Sequence, residues 1–360
     1  MTDRLPVILD VDTGIDDSLA LLYACASPEI EIVAVTCLAG NVGGRQVAGN
    51  TRAVLELAGR RDIPVALGAE APLVKPLETT EETHGPRGIG HAELPAPARP
   101  LESSHAADLI VEAVRRRPRE LTLVTLGPLT NLALALDREP RLPQLLRRWV
   151  FMGGAFTVPG NTTPTSEWNV YVDPDAAKAC LAAWAAALPD EPLAAYAAVA
   201  LPLGMGLDVT ERARILPVDV AALARRAGAS SGDAARLLDP AAPMRPMGSV
   251  AENAVLRFIV DALRFYFEFH ARADGFYGAF IHDPFVVAAA INSALVRSHP
   301  MFVDIEAGPG LAHGMTVADR RGSTGRAPNV EVAVEGDAEA FLAALIERVG
   351  GLAAGRAAPA

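Results

Sequence analysis

Val7-Ile8-Leu9-Asp10-Val11-Asp12-Thr13-Gly14-Ile15-Asp16-Asp17 is an apolar run that enters four carboxylates within eight residues. The aliphatic stretch predicts a buried strand from Val7 to Val11, and the acidic residues fall where that strand ends. Carboxylates so closely spaced raise one another's pKa unless something positive sits among them. A metal ion is the simplest positive group.

Outward from this stretch, β-branched runs alternate with helical patterns, the signature of a mostly parallel sheet covered on both faces. Strands are expected at Glu31 to Cys37, Ile63 to Leu67, Leu121 to Leu126 and Trp149 to Met152. Helices are expected at Asp16 to Ala26, Gly44 to Ala58, Leu129 to Leu136 and Pro174 to Ala187, the last with Asp173 as its N-cap. Further on, the pattern predicts a helix from Ala251 to His270 and another from His282 to about Val296. Strands at Met301 to Asp304, Met315 to Ala318 and Val330 to Val334 precede a closing helix, Ala338 to Val349. Two long loops, Glu70 to Pro100 and Ala155 to Trp168, lack periodicity, and loops of that length are usually functional or disordered.

The 360 residues are 51% hydrophobic and 21% charged, enough for a large core, and no polar low-complexity block divides them. The expectation is one α/β domain over residues 1–350, an open, mostly parallel Rossmann-like sheet with helices on both faces. Insertions are expected near 189–200 and 228–249, with a flexible tail at 351–360. A net charge of −11 disfavours nucleic acid as a partner, because phosphate binding needs clustered Lys and Arg. Cys25, Cys37 and Cys180 lack CxxC spacing and sit in apolar context, which predicts free thiols. No basic n-region or cleavable apolar stretch is visible near Met1. Pro189, Asp190, Glu191 and Pro192 break the Ala-rich run Ala176 to Leu207, so no membrane span is expected. A cytoplasmic protein is expected.

Asp12, Asn41, Leu126 and Met152 each lie at or just past the carboxyl end of an expected strand, the edge where open parallel sheets bind ligands. The loop Gly160 to Asn169 adds carboxamides and a carboxylate suited to sugar hydroxyls. His282-Asp283 opens a helix, where the dipole favours an anion.

These residues resemble the calcium-dependent nucleoside hydrolases, the inosine-uridine preferring family, whose members share DxDxxxDD after strand 1. That pattern stands here at Asp10, Asp12, Asp16 and Asp17. Similar segments follow in order: Ala39-Gly40-Asn41-Val42, Leu126-Gly127-Pro128-Leu129-Thr130-Asn131-Leu132-Ala133, Met152-Gly153-Gly154, Asn161 with Glu167 and Asn169, Gly206 to Thr210, His282-Asp283-Pro284, and Gly322 to Asn329.

The resemblance implies the nucleoside hydrolase fold and cleavage of ribonucleosides to free base and ribose. It implies a Ca²⁺ held by Asp12, Asp17, Asp283 and the carbonyl of Leu126, a hard-oxygen set that suits calcium better than zinc. A water on that ion would pass its proton to Asp12, the general base, through an oxocarbenium-like transition state. Asp16 and Asn169 match the positions that hold the lower ribose hydroxyls, and Asn161 and Glu167 those at the 5′-hydroxyl. Asn41 and Asp283 belong to the metal and ribose surroundings, and Met152 packs on the sugar. His282 matches a proton donor to the leaving base, and its presence resembles the branch that accepts both inosine-like and uridine-like substrates. The Gly-rich segment His84 to His91 resembles a flap over the site, and a homodimer or homotetramer is the implied assembly.

Bland readings compete. An acidic cluster after a strand also serves as a helix cap. Asp10 points away from Val11's side of strand 1, which suits a structural role. The aromatic run Phe265 to Tyr277 suits core packing as well as base stacking. Asp10-Val11-Asp12-Thr13 also fits a haloacid-dehalogenase-like Mg²⁺ phosphatase, with Asp10 as nucleophile and Asp12 as acid/base. Asp16-Asp17 and His282-Asp283 then go unexplained. A non-catalytic nucleoside-binding homologue is the third reading.

Overall fold

The opening run forms β1 (Leu5–Val11), and its alternation decides which layer each residue joins. Val7, Leu9 and Val11 enter one buried core with residues of the helices Ile15–Cys25, Gly44–Leu57, Ala254–Ala273, His282–Ile291 and Ala338–Ala353. Ile8 enters the other, with the helices Ala106–Arg116, Thr130–Arg138 and Pro174–Ala187. A computed structural model describes residues 4–188, 199–230, 233, 236 and 249–355. Most of the segments expected as insertions therefore lie outside the described residues, as do residues 356–360.

In chain order the remaining strands are β2 (Ile30–Cys37), β3 (Val65–Leu67), β4 (Thr122–Thr125), β5 (Arg148–Met152), β6 (Leu203–Met205), β7 (Arg214–Ile215), β8 (Ala279–Phe280), β9 (Val296–Glu306), β10 (Met315–Asp319) and β11 (Val330–Gly336). Nine of them form one sheet in the order β10-β9-β11-β6-β5-β4-β1-β2-β3. Pairing is parallel from β11 through β6 to β3, and β9 runs antiparallel to both its neighbours. β7 and β8 make a separate antiparallel ribbon. The α/β architecture is the expected one.

The chain leaves β1 towards β2 and β3, then returns to build β4, β5 and β6 on the other side. The strand order thus reverses between β1 and β4, and the crevice beyond their carboxyl ends is the natural ligand site. Packing makes this edge rigid. Phe285 and Phe341 stack at 4.8 Å and are fully buried, fastening His282–Ile291 to the closing helix. On the opposite face Trp149 packs on Trp184 at 4.5 Å while its indole N–H donates to Thr125 Oγ1 at 3.0 Å. Burial of each such side chain contributes about 1.5–3 kcal/mol.

The sequence pattern misses the helices Ala106–Arg116 and Pro217–Arg226, strand β6, the short ribbon β7 and β8, and several one-turn helices such as Glu81–His84 and Trp168–Val172. The helix begun at His282 stops at Ile291 rather than near Val296, because the Asn292 side chain accepts from Ala294 N and turns the chain into β9. Cys37 and Cys180 are buried and Cys25 half-buried, all three as free thiols. Among the described residues no helix is long and apolar enough to cross a membrane.

Candidate active site

Asp12 leaves the end of β1 between two loops that follow β2 and β4. A β-carbon on Gly40 would overlap Asp12 Oδ2, and one on Gly127 would sit 2.6 Å from Oδ1, so both glycines are required by close approach. Asn41 donates its backbone N–H to Asp12 Oδ2 at 2.9 Å. Its carboxamide reaches Asp17 Oδ2 at 3.3 Å, and Asp17 Oδ2 also accepts from Gly14 N at 2.9 Å, closing the first turn of Ile15–Cys25.

Asp16 and Asp17 lie in that first turn, and Asp283 lies in the first turn of His282–Ile291. The two helices pack together, so two positive dipole ends meet three carboxylates. Oxygens of Asp16, Asp17 and Asp283 all lie within 4.8 Å of one another, and all three residues are buried. Burial raises Asp16 to about 7, with the Asp17 charge adding to it, and burial raises Asp17 to about 6. Asp12 is held well above the carboxylate range by burial and then by Asp17. Asp283 is raised by burial and then by Asp16 and Asp17.

This donor set fits a hard divalent cation. Asp17 Oδ1 is buried without a hydrogen-bond partner, and no Lys or Arg lines the cavity above it among the described residues. The tightest trio contains Asp16 where the sequence expectation has Asp12. Asp12 stands beside it as the next charge. The Leu126 carbonyl accepts the Asn169 carboxamide at 2.7 Å and keeps its second lone pair.

The cavity above this floor measures about 420 Å³. Asp12, Asp16, Asn41, Met152, Asn161, Glu167, Asn169, His282 and Asp283, all expected at the site, line it together with Leu126. Asp17 lies beneath. Glu167 caps the one-turn helix Trp168–Val172, with Oε1 accepting from Asn169 N at 2.9 Å and Oε2 from Gly154 N at 2.9 Å and Val170 N at 3.1 Å. Asn161 Oδ1 accepts from Trp168 N at 3.0 Å.

Two imidazoles flank the far end in opposite proton arrangements. His84 Nδ1 accepts from Ile15 N at 3.1 Å, so the ring proton is on Nε2. Thr210 donates its hydroxyl proton to the Gly206 carbonyl at 3.1 Å, so at 2.8 Å it accepts from His282 Nδ1. In the neutral ring His282 Nε2 therefore carries a lone pair. Burial pushes both rings down to about 3, with His282 acting further on His84 and His270 on His282.

His84, from the segment that resembles a flap, is buried and lines the cavity. His91, from the same segment, is tied to the helix Ala254–Ala273 by Glu268 at 3.0 Å. The Gly206 to Thr210 segment also finds its reason: Asp208 accepts from Phe156 N and Thr157 N, anchoring the loop after β5, while Thr210 orients His282. Asn329 brackets Val303 by bonds to both its N and O.

Asp10 is fully buried and does not line the cavity. Its Oδ1 accepts from Thr36 Oγ1 at 2.5 Å and Asn131 Nδ2 at 2.8 Å, and burial raises it to about 7. A nucleophile there has no access to a phosphoryl group, which removes the phosphatase reading.

Fold and site together define an α/β enzyme whose acid-floored cleft suits an uncharged, polyhydroxylated substrate. A family model described as inosine-uridine preferring nucleoside hydrolase matches residues 7–343, and the chain belongs to that family. It is 35% identical over 347 residues to the pyrimidine-specific ribonucleoside hydrolase RihA of Enterobacter sp. (strain 638), covering 96% of this chain and 97% of that one. RihA of Salmonella typhi is 34% identical, with 96% and 98% covered. Among solved structures, the purine-preferring ribonucleoside hydrolase from Gardnerella vaginalis superposes with a TM-score of 0.82 at 28% identity, covering 97% of this chain and 99% of that one. The plant nucleoside hydrolase PpNRh1 gives a TM-score of 0.82 at 28% identity, with 96% and 99% covered. The activity is hydrolysis of ribonucleosides to base and ribose.

Proposed function

We propose that Asp12 is the general base of this hydrolysis and that the ion at the cavity floor is Ca²⁺, held by Asp12, Asp17, Asp283 and the Leu126 carbonyl, with Asp16 beside it. The observation that carries this reading is the buried trio Asp16, Asp17 and Asp283 with no cationic side chain lining the cavity above it. When bound, the ion supplies positive charge that relieves carboxylate repulsion, anchors oxygen ligands and acidifies a water. Asp12, fixed between Gly40, Gly127 and the Asn41 N–H, takes a proton from the water that attacks the anomeric carbon. The same carboxylates stabilise positive charge as it develops on the ribosyl ring.

Ribose is oriented by the side groups the geometry leaves available. Glu167 Oε1 has one lone pair left for the 5′-hydroxyl, near Asn161. Asn169 spends its N–H on Leu126 and retains Oδ1 for a lower hydroxyl with Asp16. Met152 packs on the sugar, and Asn41 ties base to floor. At the far end His84 Nε2–H donates to the departing base, with His282 beside it. The relatives are named for opposite base preferences, so the aromatic end of the cavity, lined by Tyr266, Phe269 and Phe280, rather than the floor sets selectivity. A homodimer or homotetramer in the cytoplasm is the assembly and location we infer from the family resemblance.

The test is ribose release from uridine, cytidine, inosine and their 2′-deoxy forms, with Ca²⁺ and with a chelator. Activity confined to the ribo forms and abolished by chelation supports the reading. Full activity in chelator, or in Asp12→Asn, overturns it.

A further inference from the structure

Asn50, on the helix Gly44–Leu57, is buried and does not line the cavity, yet its carboxamide joins two stretches that do the chemistry's positioning. Its Nδ2 donates to the Thr13 carbonyl at 3.2 Å and to the Arg87 carbonyl at 2.8 Å. Carbonyls only accept, so the nitrogen must face them, and it has one proton for each. Oδ1, turned the other way, accepts from Gln46 Nε2 at 2.8 Å. Thr13 stands between Asp12 and Asp16, and Arg87 follows His84 by three residues in a turn that Gly90 N closes on the His84 carbonyl at 2.7 Å. The same helix grips Thr13 a second time. Thr51 gives its single hydroxyl proton to the Val47 carbonyl at 2.9 Å, so at 2.6 Å it accepts from the Thr13 hydroxyl.

The turn lies flush on this junction, because a β-carbon on Gly88 would stand 3.1 Å from Asn50 Nδ2 and 3.3 Å from the Thr13 carbonyl. On the cavity side the two stretches meet again, where Ile15 N donates to His84 Nδ1 at 3.1 Å. Asn50 therefore holds from behind what that one bond holds in front. We propose that Asn50 is a positioning residue: by drawing the Thr13 and Arg87 carbonyls onto one nitrogen it seats the His84 ring on the turn after β1, with Nδ1 on Ile15 N and Nε2–H towards the departing base. Asn50 touches no reacting atom. The inference rests on the part given to His84 in the proposed hydrolysis, so its loss should slow the step that His84 assists and spare steps that need no acid.

The test is a double-substitution cycle with saturating Ca²⁺, using Asn50→Leu, His84→Ala and the two combined, on inosine, uridine and p-nitrophenyl riboside. Asn50→Leu should lower kcat on inosine or uridine about tenfold or more, and on the p-nitrophenyl riboside by less than about threefold. In the His84→Ala background it should cost less than about a further threefold, since residues acting through one another are not additive. Equal losses on nucleoside and p-nitrophenyl riboside, or a full loss that persists without His84, overturn the proposal. A second readout needs no turnover. Exchange of the Ile15 amide proton should quicken about tenfold in Asn50→Leu, while that of Ser18, bonded to the Gly14 carbonyl in the same turn, keeps its rate. Unchanged Ile15 exchange overturns the proposal too. If His84→Ala alone leaves kcat on nucleosides intact, the part given to His84 fails, and amide exchange still decides whether Asn50 seats the ring. Should Asn50→Leu not fold, Gly88→Ala pushes the same turn off Asn50 and is read in the same way.

Discussion

Gly40 stands so close to Asp12 that a β-carbon there would occupy the space of Asp12 Oδ2. Gly40→Ala should therefore move the carboxylate rather than merely crowd a loop. The expected result is a fall in kcat of about a hundredfold from misplacing the base, with a stability loss of about 1–3 kcal/mol from overpacking. Gly43→Ala, three residues on, meets no atom within 4 Å and should leave kcat unchanged, with only the small stability loss of a helix N-cap changed from Gly to Ala. Equal effects of the two substitutions in kinetics and thermal melts would refute this account of Gly40.

Metal removal should reverse the usual effect of pH on this site. Asp16 and Asp17 titrate at about 7 and 6 in the fold, against an ordinary value near 3.8. Between roughly pH 4 and 7 the metal-free folded state thus binds more protons than the unfolded chain, so its stability falls as pH rises. In chelator the Tm should drop from pH 5 to pH 8 by on the order of 5 °C, and saturating Ca²⁺ should flatten the slope. Asp283→Asn should raise the Tm in chelator and abolish the stabilisation by Ca²⁺. A Tm that climbs with pH in chelator contradicts the cluster's charge balance.

Much of this was legible because the groups that define the floor are local in sequence. Asp12, Asp16 and Asp17 lie within six residues, each at a strand end or helix start that its own neighbours specify. Gly40 and Gly127 are likewise explained by the one carboxylate they flank. The upper wall was less legible. His84 acquires its proton arrangement from the N–H of Ile15, and His270 acquires its from Asp274 one helical turn on, at the end of an aromatic run that resembles ordinary core. Strand β6 escaped because only Leu203, Gly204 and Met205 form it. Gly204 is needed where Phe151 packs, which erases the apolar alternation. Helix Ala106–Arg116 opens behind a histidine cap within a Pro-rich region and lacks the usual Ser, Thr, Asp or Asn start.

Asp10 and Asp12 are two residues apart and should behave oppositely. Asp10 ties β1 to Thr36 and Asn131 and sees no cavity, so Asp10→Asn keeps an acceptor for both donors. Its kcat should stay within about tenfold of the parent, whereas Asp12→Asn loses at least about a hundredfold with general-base catalysis. Parallel ribose-release assays decide it. Comparable losses from both substitutions would place Asp10 in the chemistry after all.

His84 offers the sharpest test of leaving-group assistance because its ring proton is assigned by the backbone. Ile15 N occupies Nδ1, and the remaining Nε2–H is the donor the ring can present to a departing base. In His84→Ala, kcat on uridine or inosine should fall about a hundredfold, the usual scale for one general acid. A riboside with a good leaving group, such as the p-nitrophenyl derivative, needs little help and should lose far less. Ile15 N also loses its acceptor, at a cost of about 1–3 kcal/mol that thermal melts report separately. The leaving-group contrast isolates the chemistry from that structural cost, since a misfolded floor slows both substrates alike. If both fall in parallel, His84 holds the helix start and does not assist departure.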